Sequence, residues 1–165
     1  MTNAGAARID LAGGASQVTT GVAVLDHLLE ELGDAGGFSV VLEIAPDDPE
    51  AEVERAGAAL GDALRPLLHT EGAGRGVGIA PADEALAMVV IEASGRPLVA
   101  SNADLTSTRA GGLQADLAAT FLDELADAAG LTIHVRLIEG QDSQHVLEAI
   151  FKALGVALAR ACADA

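Results

Sequence analysis

The chain has no tryptophan and no tyrosine, and only three phenylalanines, Phe38, Phe121 and Phe151. It therefore lacks the stacking platforms on which nucleobases are usually held. Basic residues are scarce too, nine against 25 acids, for a net charge of −16. That balance repels a phosphate backbone and an anionic lipid surface alike, so nucleic acid and membrane are excluded as expected partners. The single cysteine, Cys162, leaves no intrachain disulfide, in keeping with a cytoplasmic chain. No stretch approaches the ~20 apolar residues of a membrane span. The first residues lack the basic-then-apolar order of a secretory leader. Neither CxxC nor HExxH occurs, so no short motif by itself announces a metal.

What is present is small and apolar. Half of the 165 residues are hydrophobic, with alanine and glycine prominent, and the core must come from Leu, Val, Ile and Ala. The length suits one domain, 1–165. Within it a pattern occurs twice. Leu29, Glu31, Leu32, Asp34, Ala35 and Gly37, followed by Phe38 to Ile44, return about 93 residues later, the mark of an internal duplication. The second copy is Leu122, Glu124, Leu125, Asp127, Ala128 and Gly130, followed by Leu131 to Leu137. Leu60-Gly61-Asp62-Ala63-Leu64 recurs as Leu154-Gly155-Val156-Ala157-Leu158. The repeats run over approximately 1–85 and 86–165.

Periodicity predicts a weak hairpin around Gly13-Gly14, joining Ile9–Leu11 to Gln17–Thr19. Helices are expected over 21–35, from Asp47-Asp48-Pro49 through Leu67, over 115–129 and over 144–162. Strands are expected over 38–44, 86–92, 98–102 and 131–137. Residues 69–78 read as a glycine-rich connection and 107–112 as a loop. The class is α+β: two pseudo-repeats, each a small sheet with helices packed on one face.

Of four histidines, His145 shares a helix face with Glu148 and Lys152, at spacings of three and four. An ordinary Glu148–Lys152 salt pair accounts for that spacing without a ligand. Glu50, Glu52 and Glu54 surround the start of the matching helix, where carboxylates favour the dipole. His27 lies mid-helix, His134 alone on the polar face of its strand, and His69 at a helix exit. Arg75 and Arg96 are flanked by glycine, and such a fork can meet a phosphate together with backbone N–H groups. A surface ion pair accounts for either arginine equally well.

Taken in order, several strings resemble the imidazoleglycerol-phosphate dehydratase family. They are Thr20-Gly21…Leu25-Asp26-His27, Leu60-Gly61, Arg75…Pro81-Ala82-Asp83-Glu84, Ser94-Gly95-Arg96-Pro97, Ile133-His134-Val135 and His145 through Ala153. The resemblance implies a duplicated dehydratase-type fold with helices between sheets. It implies trimers that assemble into a 24-subunit cage with sites between subunits. It also implies a two-manganese hydro-lyase of histidine biosynthesis, built on a His-His-x-x-Glu motif in each repeat.

Carried across, His27, Glu54, His134, His145 and Glu148 match metal ligands, and Arg75, Arg96 and Lys152 match phosphate-side residues. The histidine pair of the first motif is Glu50-Ala51 here, and the first histidine of the second is Gln144. Arg55 stands where an Asp follows Glu54. No carboxylate precedes Asp10 to match the family's catalytic glutamate, and the Lys-Gly tail is not found before Ala165. These departures lead to an expectation of an incomplete metal and catalytic site. On that view the protein is an inactive or altered member, with no metal or one Mn ion, forming a symmetric oligomer and retaining a phosphorylated ligand. The alternative is an active dehydratase with one rebuilt metal site, in which Glu50 could serve. A third reading has the chain complete mixed sites with a full-length paralogue.

Overall fold

The computed structural model describes residues 5–103 and 117–163; the expected 107–112 loop lies outside them. The first half runs β1 (Gly5–Asp10), β2 (Gln17–Thr19), α1 (Ala23–Gly36), β3 (Ser39–Ile44) and α2 (Pro49–Pro66), ending in one π-helical turn at Leu67–Glu71. The second runs β4 (Arg75–Ala82), β5 (Ala85–Glu92), β6 (Leu98–Ser101), α3 (Leu117–Ala129), β7 (Thr132–Glu139) and α4 (Ser143–Cys162).

The strands form two sheets, ordered β1-β3-β2 and β4-β5-β7-β6. β1 pairs antiparallel and β2 parallel with the central β3. β5 and β6 stand in the same two relations to β7. The expected β1–β2 hairpin is therefore wrong, because β3 lies between them. A parallel neighbour needs a crossover, and α1 supplies it between β2 and β3 as α3 does between β6 and β7. α1 and α2 cover one sheet, α3 and α4 the other, and the helices meet in the middle as α1 on α4 and α2 on α3. The outer face of the first sheet carries polar residues such as Arg8, Asp10, Gln17 and Glu43, whereas that of the second mixes polar residues with exposed or half-exposed apolar ones, Val77, Ile79, Met88 and Val90 among them.

The 69–78 segment corrects a second expectation. It is not all connection, since β4 starts at Arg75. Its glycines are there because α4 lies directly on the strand. A Cβ at Gly76 would sit 2.1 Å from the Ala157 carbonyl oxygen, and one at Gly78 2.0 Å from that of Ala153. Gly76, Gly78, Ala80 and Ala82 thus form an inward row of small residues facing the alanines of α4. Outward stand Val77, Ile79 and Pro81.

His69 and Arg65 serve a helix other than their own. His69 Nε2 lies 2.8 Å from the Ala129 carbonyl oxygen, and Arg65 donates to that of Ala128 at 3.2 Å. Two terminal carbonyls of α3 are thereby met by the end of α2.

At the α2–α3 crossing, burial pushes the Glu124 carboxyl above its ordinary range, and the negative charges of Glu54, Asp127 and Asp123 add to the effect. A raised folded pKa favours the fold fully below the unfolded value and loses that benefit as pH rises through the folded one. Glu124→Gln is accordingly expected to raise the melting temperature slightly at neutral pH. The gain should vanish below about pH 4, which a thermal-denaturation series across pH will read.

Candidate functional site

The entry to α1 is locked before His27 is presented. Asp26 accepts from the Thr20 N–H at 2.8 Å and from its hydroxyl at 2.5 Å. Gly21 has φ +92°, and a Cβ there would strike the Glu52 carboxylate. Glu52 itself is buried and accepts the Asp47 N–H at 3.3 Å. So of the three glutamates expected at the start of α2, one is a packed strut between the two helix starts.

From this anchored turn His27 reaches across to α4. Its Nε2 lies 3.1 Å from Glu148 Oε1 and 3.8 Å from Glu31 Oε1. Lys152 Nζ lies 3.7 Å from Glu31 Oε2. The expected Glu148–Lys152 pair along α4 is not formed among the described residues; each residue instead turns to a partner on α1.

The start of α4 is held by a different group. Asp142 caps the helix, accepting from the N–H groups of Gln144 at 3.0 Å and His145 at 3.2 Å. The two-residue tip of the β4–β5 hairpin, Asp83-Glu84, closes over it. Glu84 Oε2 accepts from the N–H groups of Gln141 and Asp142 at 3.0 and 3.1 Å, and Glu84 Oε1 lies 2.5 Å from His145 Nδ1. Asp83 Oδ2 lies 3.2 Å from His145 Nε2. Glu84 is held down to a pKa of about 2, first by the two backbone N–H groups and then by His145. The hydrogen bond to Glu84 raises the histidine, and the charges of Asp142, Glu84 and Asp83 reinforce it.

The other sequence candidates lie elsewhere. His134 is exposed on the outer face of its sheet, beside an open depression of about 200 Å3 lined also by Val90, Ile91, Glu92 and Thr132. Arg75 is the first residue of β4, opposite Glu92, and not a loop residue. The N–H groups just before it are spent: Ala73 and Gly74 donate to the carbonyls of Ala163 and Ala161. Arg96 is exposed in a turn fixed by Ser94, at the same end of the sheet. Glu54 is exposed on α2. Arg55 pairs with Asp47 at 2.8 Å, so its charge turns away from Glu54 rather than competing for it. Glu50 and Gln144 are exposed and Ala51 half-exposed on the first turns of α2 and α4.

One chain therefore brings together His27, Glu148 and Lys152. It places His145 nearby on α4 and leaves His134, Glu54 and the two arginines apart. A single pocket of His27, His134 and His145 is not formed. Imidazole nitrogen and carboxylate oxygen suit Mn(II). Yet among the described residues no three His, Cys, Asp or Glu side chains converge to hold an ion.

The family model for imidazoleglycerol-phosphate dehydratase matches residues 20–158. The chain belongs to the imidazoleglycerol-phosphate dehydratase family. It is 38% identical over 145 residues to the dehydratase of Cyberlindnera jadinii, covering 86% of this chain but 65% of that one. It is 37% identical over 153 residues to that of Clostridium botulinum strain Kyoto, covering 90% and 78%. The Staphylococcus aureus N315 dehydratase structure superposes with a TM-score of 0.85 at 33% identity, over 95% of this chain and 92% of that one. The Pyrococcus furiosus structure gives 0.86 at 28% identity, over 98% and 89%. The dehydratase resemblance and the α+β class both stand. Among the described residues no helix is long and apolar enough to cross a membrane.

Three contributors, Glu31, Asp83 and Glu84, were not assigned from sequence. Glu31 enters the sequence reading only as a member of the repeat, level with Glu124. Asp83-Glu84 reads as an acid pair opening a strand, and only the fold carries it to His145, 61 residues away.

Proposed function

We propose that this dehydratase-family chain is a hydro-lyase that removes water from a phosphorylated imidazole alcohol of the imidazole glycerol phosphate type. It would do so at sites that copies of the chain build together. The observation that carries this reading is the contact between His27 of α1 and Glu148 of α4, 3.1 Å apart, with Lys152 one turn further along. The named activity of its relatives points the same way. His27, His145 and Glu148, together with His134 and Glu54, would contribute ligands for a divalent cation, Mn(II) by donor type, at sites that only neighbouring copies complete. Once bound, the ion would supply Lewis-acid polarisation of the imidazole. Lys152 sits loosely on Glu31, at 3.7 Å, so a phosphate dianion can take over its ammonium. Arg75 and Arg96, exposed on a neighbouring sheet end, can meet the same dianion with their forks. The scattered candidate set supports an assembly, which we propose to be trimers forming a 24-mer. We read the chain as one domain with halves 1–85 and 86–165.

A second reading is favoured by Ala51 and Gln144, which stand in the two motifs where imidazoles are expected. Mn(II) gains affinity from each deprotonated ligand, and Ala51 offers none. On this reading assembly and phosphate-ligand binding survive without turnover, alone or beside a full-length paralogue.

Protein purified without chelator decides between them. The hydro-lyase reading expects close to one Mn per chain, lost in His145→Ala, and rescue of a histidine auxotroph lacking its own dehydratase. A metal-free cage with no rescue supports the second reading. Rescue only alongside a co-purifying paralogue supports mixed sites.

A further inference from the structure

His145 is gripped on both ring nitrogens by one hairpin tip, and the two grips differ in kind. Glu84 is built in: its second oxygen accepts two backbone N–H groups at 3.0 and 3.1 Å while its first lies 2.5 Å from Nδ1. Three donors meet one carboxylate, so its orientation is fixed by backbone. Among the described residues Asp83 is held by nothing comparable. It touches Nε2 at 3.2 Å, and its side chain is 71% exposed. Asp142 stands 3.9 Å from Nδ1, beyond hydrogen-bond range, and its oxygen is engaged in capping α4. Asp83 also has φ +52°, a backbone region where glycine or asparagine is the usual choice in a two-residue hairpin. A strained, exposed acid at one nitrogen and a backbone-anchored acid at the other make an asymmetric clamp.

We propose that Glu84 is a positioning residue for His145, keeping the proton on Nδ1 so that Nε2 is the nitrogen offered to a ligand; the Asp83 contact at Nε2 needs a second ring proton and is given up when the ring is neutral. An imidazole that binds a ligand through one nitrogen needs the other to donate to a fixed acceptor. Free neutral histidine prefers the opposite tautomer, with the proton on Nε2, so the preference here has to be imposed. The inference extends the hydro-lyase reading, in which His145 meets a cation, but the tautomer exists in metal-free protein and is tested there.

The test is 15N NMR of metal-free, full-length protein labelled at histidine, at a pH where His145 is neutral. The signal is assigned by its loss in His145→Asn. Wild type should show the Nδ1–H tautomer, and Glu84→Ala should shift His145 toward Nε2–H. If Glu84→Ala does not fold, Glu84→Gln, which keeps one acceptor oxygen, should give a mixture of the two. Asp83→Gly relieves the positive φ, so it should melt no lower than wild type and keep the Nδ1–H tautomer. In a separate Mn(II) titration, Glu84→Ala should bind about ten- to a hundredfold more weakly than wild type. A merely structural Glu84 would lower the melting temperature and leave the tautomer unmoved. An Nε2–H tautomer in wild type, an unmoved tautomer in the Glu84 variants, or a flip in Asp83→Gly would each overturn the proposal. Should wild type bind no Mn(II), the hydro-lyase reading fails while the tautomer result stands or falls alone.

Discussion

Gly155→Ala is expected to destabilise the protein by about 3 kcal/mol or more, the upper part of the range for overpacking a filled core. On intrinsic helix propensity alone the sign would be opposite, because alanine in mid-helix is favoured over glycine by roughly 1 kcal/mol. The packing decides against that. A Cβ at Gly155 would stand 2.0 Å from the Leu32 carbonyl oxygen, with the Leu32 carbonyl carbon and Cα at 2.8 and 3.1 Å. All three atoms are backbone, so no flexible side chain can swing aside; relief requires α1 and α4 to separate. For a chain of this size the loss corresponds to a fall of roughly 10 °C in melting temperature. The duplication supplies the control. Gly61 is the counterpart of Gly155, and it packs on the Leu125 carbonyl oxygen, 2.9 Å from its would-be Cβ, and on the Ala128 Cβ at 2.6 Å. Leu125 is the counterpart of Leu32. One clash there is with a side-chain methyl and the carbonyl is further off, so Gly61→Ala should cost less. Thermal melts of the two variants at matched concentration test the order. A Gly155→Ala protein at least as stable as wild type would show that the α1–α4 crossing is not held this close.

The same packing explains what the sequence could and could not announce. Leu25, Leu28, Leu29 and Leu32 mark α1 by period, and Val40, Leu42 and Ile44 mark β3; all are buried in the helical layer. β4 was hidden because its inward row is glycine and alanine, residues that depress strand preference. The usable signal was their alternation, Gly76, Gly78, Ala80, Ala82, set against Ala153, Ala157 and Ala161 at helical spacing. The short glycine-bearing link between β1 and β2 resembles a hairpin locally, whereas the strand that neighbours β2 is chosen by the α1 crossover. The candidate site was legible as a set of residue types and illegible as a place. Spacing put Glu148 beside Lys152, but His27, 121 residues away, offers a closer partner. Nothing local to Glu84 predicts its grip on His145.

Restoring imidazoles at the two altered motifs, Ala51→His with Gln144→His, is expected to raise the affinity for Mn(II) by on the order of tenfold or more per residue. Structural zinc energies of roughly 10–16 kcal/mol spread over four ligands would give a hundredfold or more each, and Mn(II) lies at the weak end of the series. Both positions can accept the change without disturbing the fold. The Ala51 N–H already donates to the Asp48 cap at 2.9 Å and the Gln144 N–H to the Asp142 cap at 3.0 Å. Helix initiation therefore rests on the caps and the backbone, while the side chain of each residue points to solvent or its edge. Gln144 immediately precedes the clamped His145 but projects about 100° round the helix from it, so a histidine there adds a nitrogen on an adjoining face of the same helix start. Ala51 sits one turn before Glu54, whose carboxylate pairs with no base among the described residues, Arg55 being committed to Asp47. The pair should act together only if both helix starts face a common ion in the assembled protein, since within one chain they belong to separate groups. Equilibrium dialysis or electron paramagnetic resonance titration of the wild type, the two single variants and the double variant measures this. A double variant no tighter than the better single one would place the two motifs at different ions. An affinity unchanged in all three would mean that neither helix start lines a metal site, and the hydro-lyase reading would lose its physical basis.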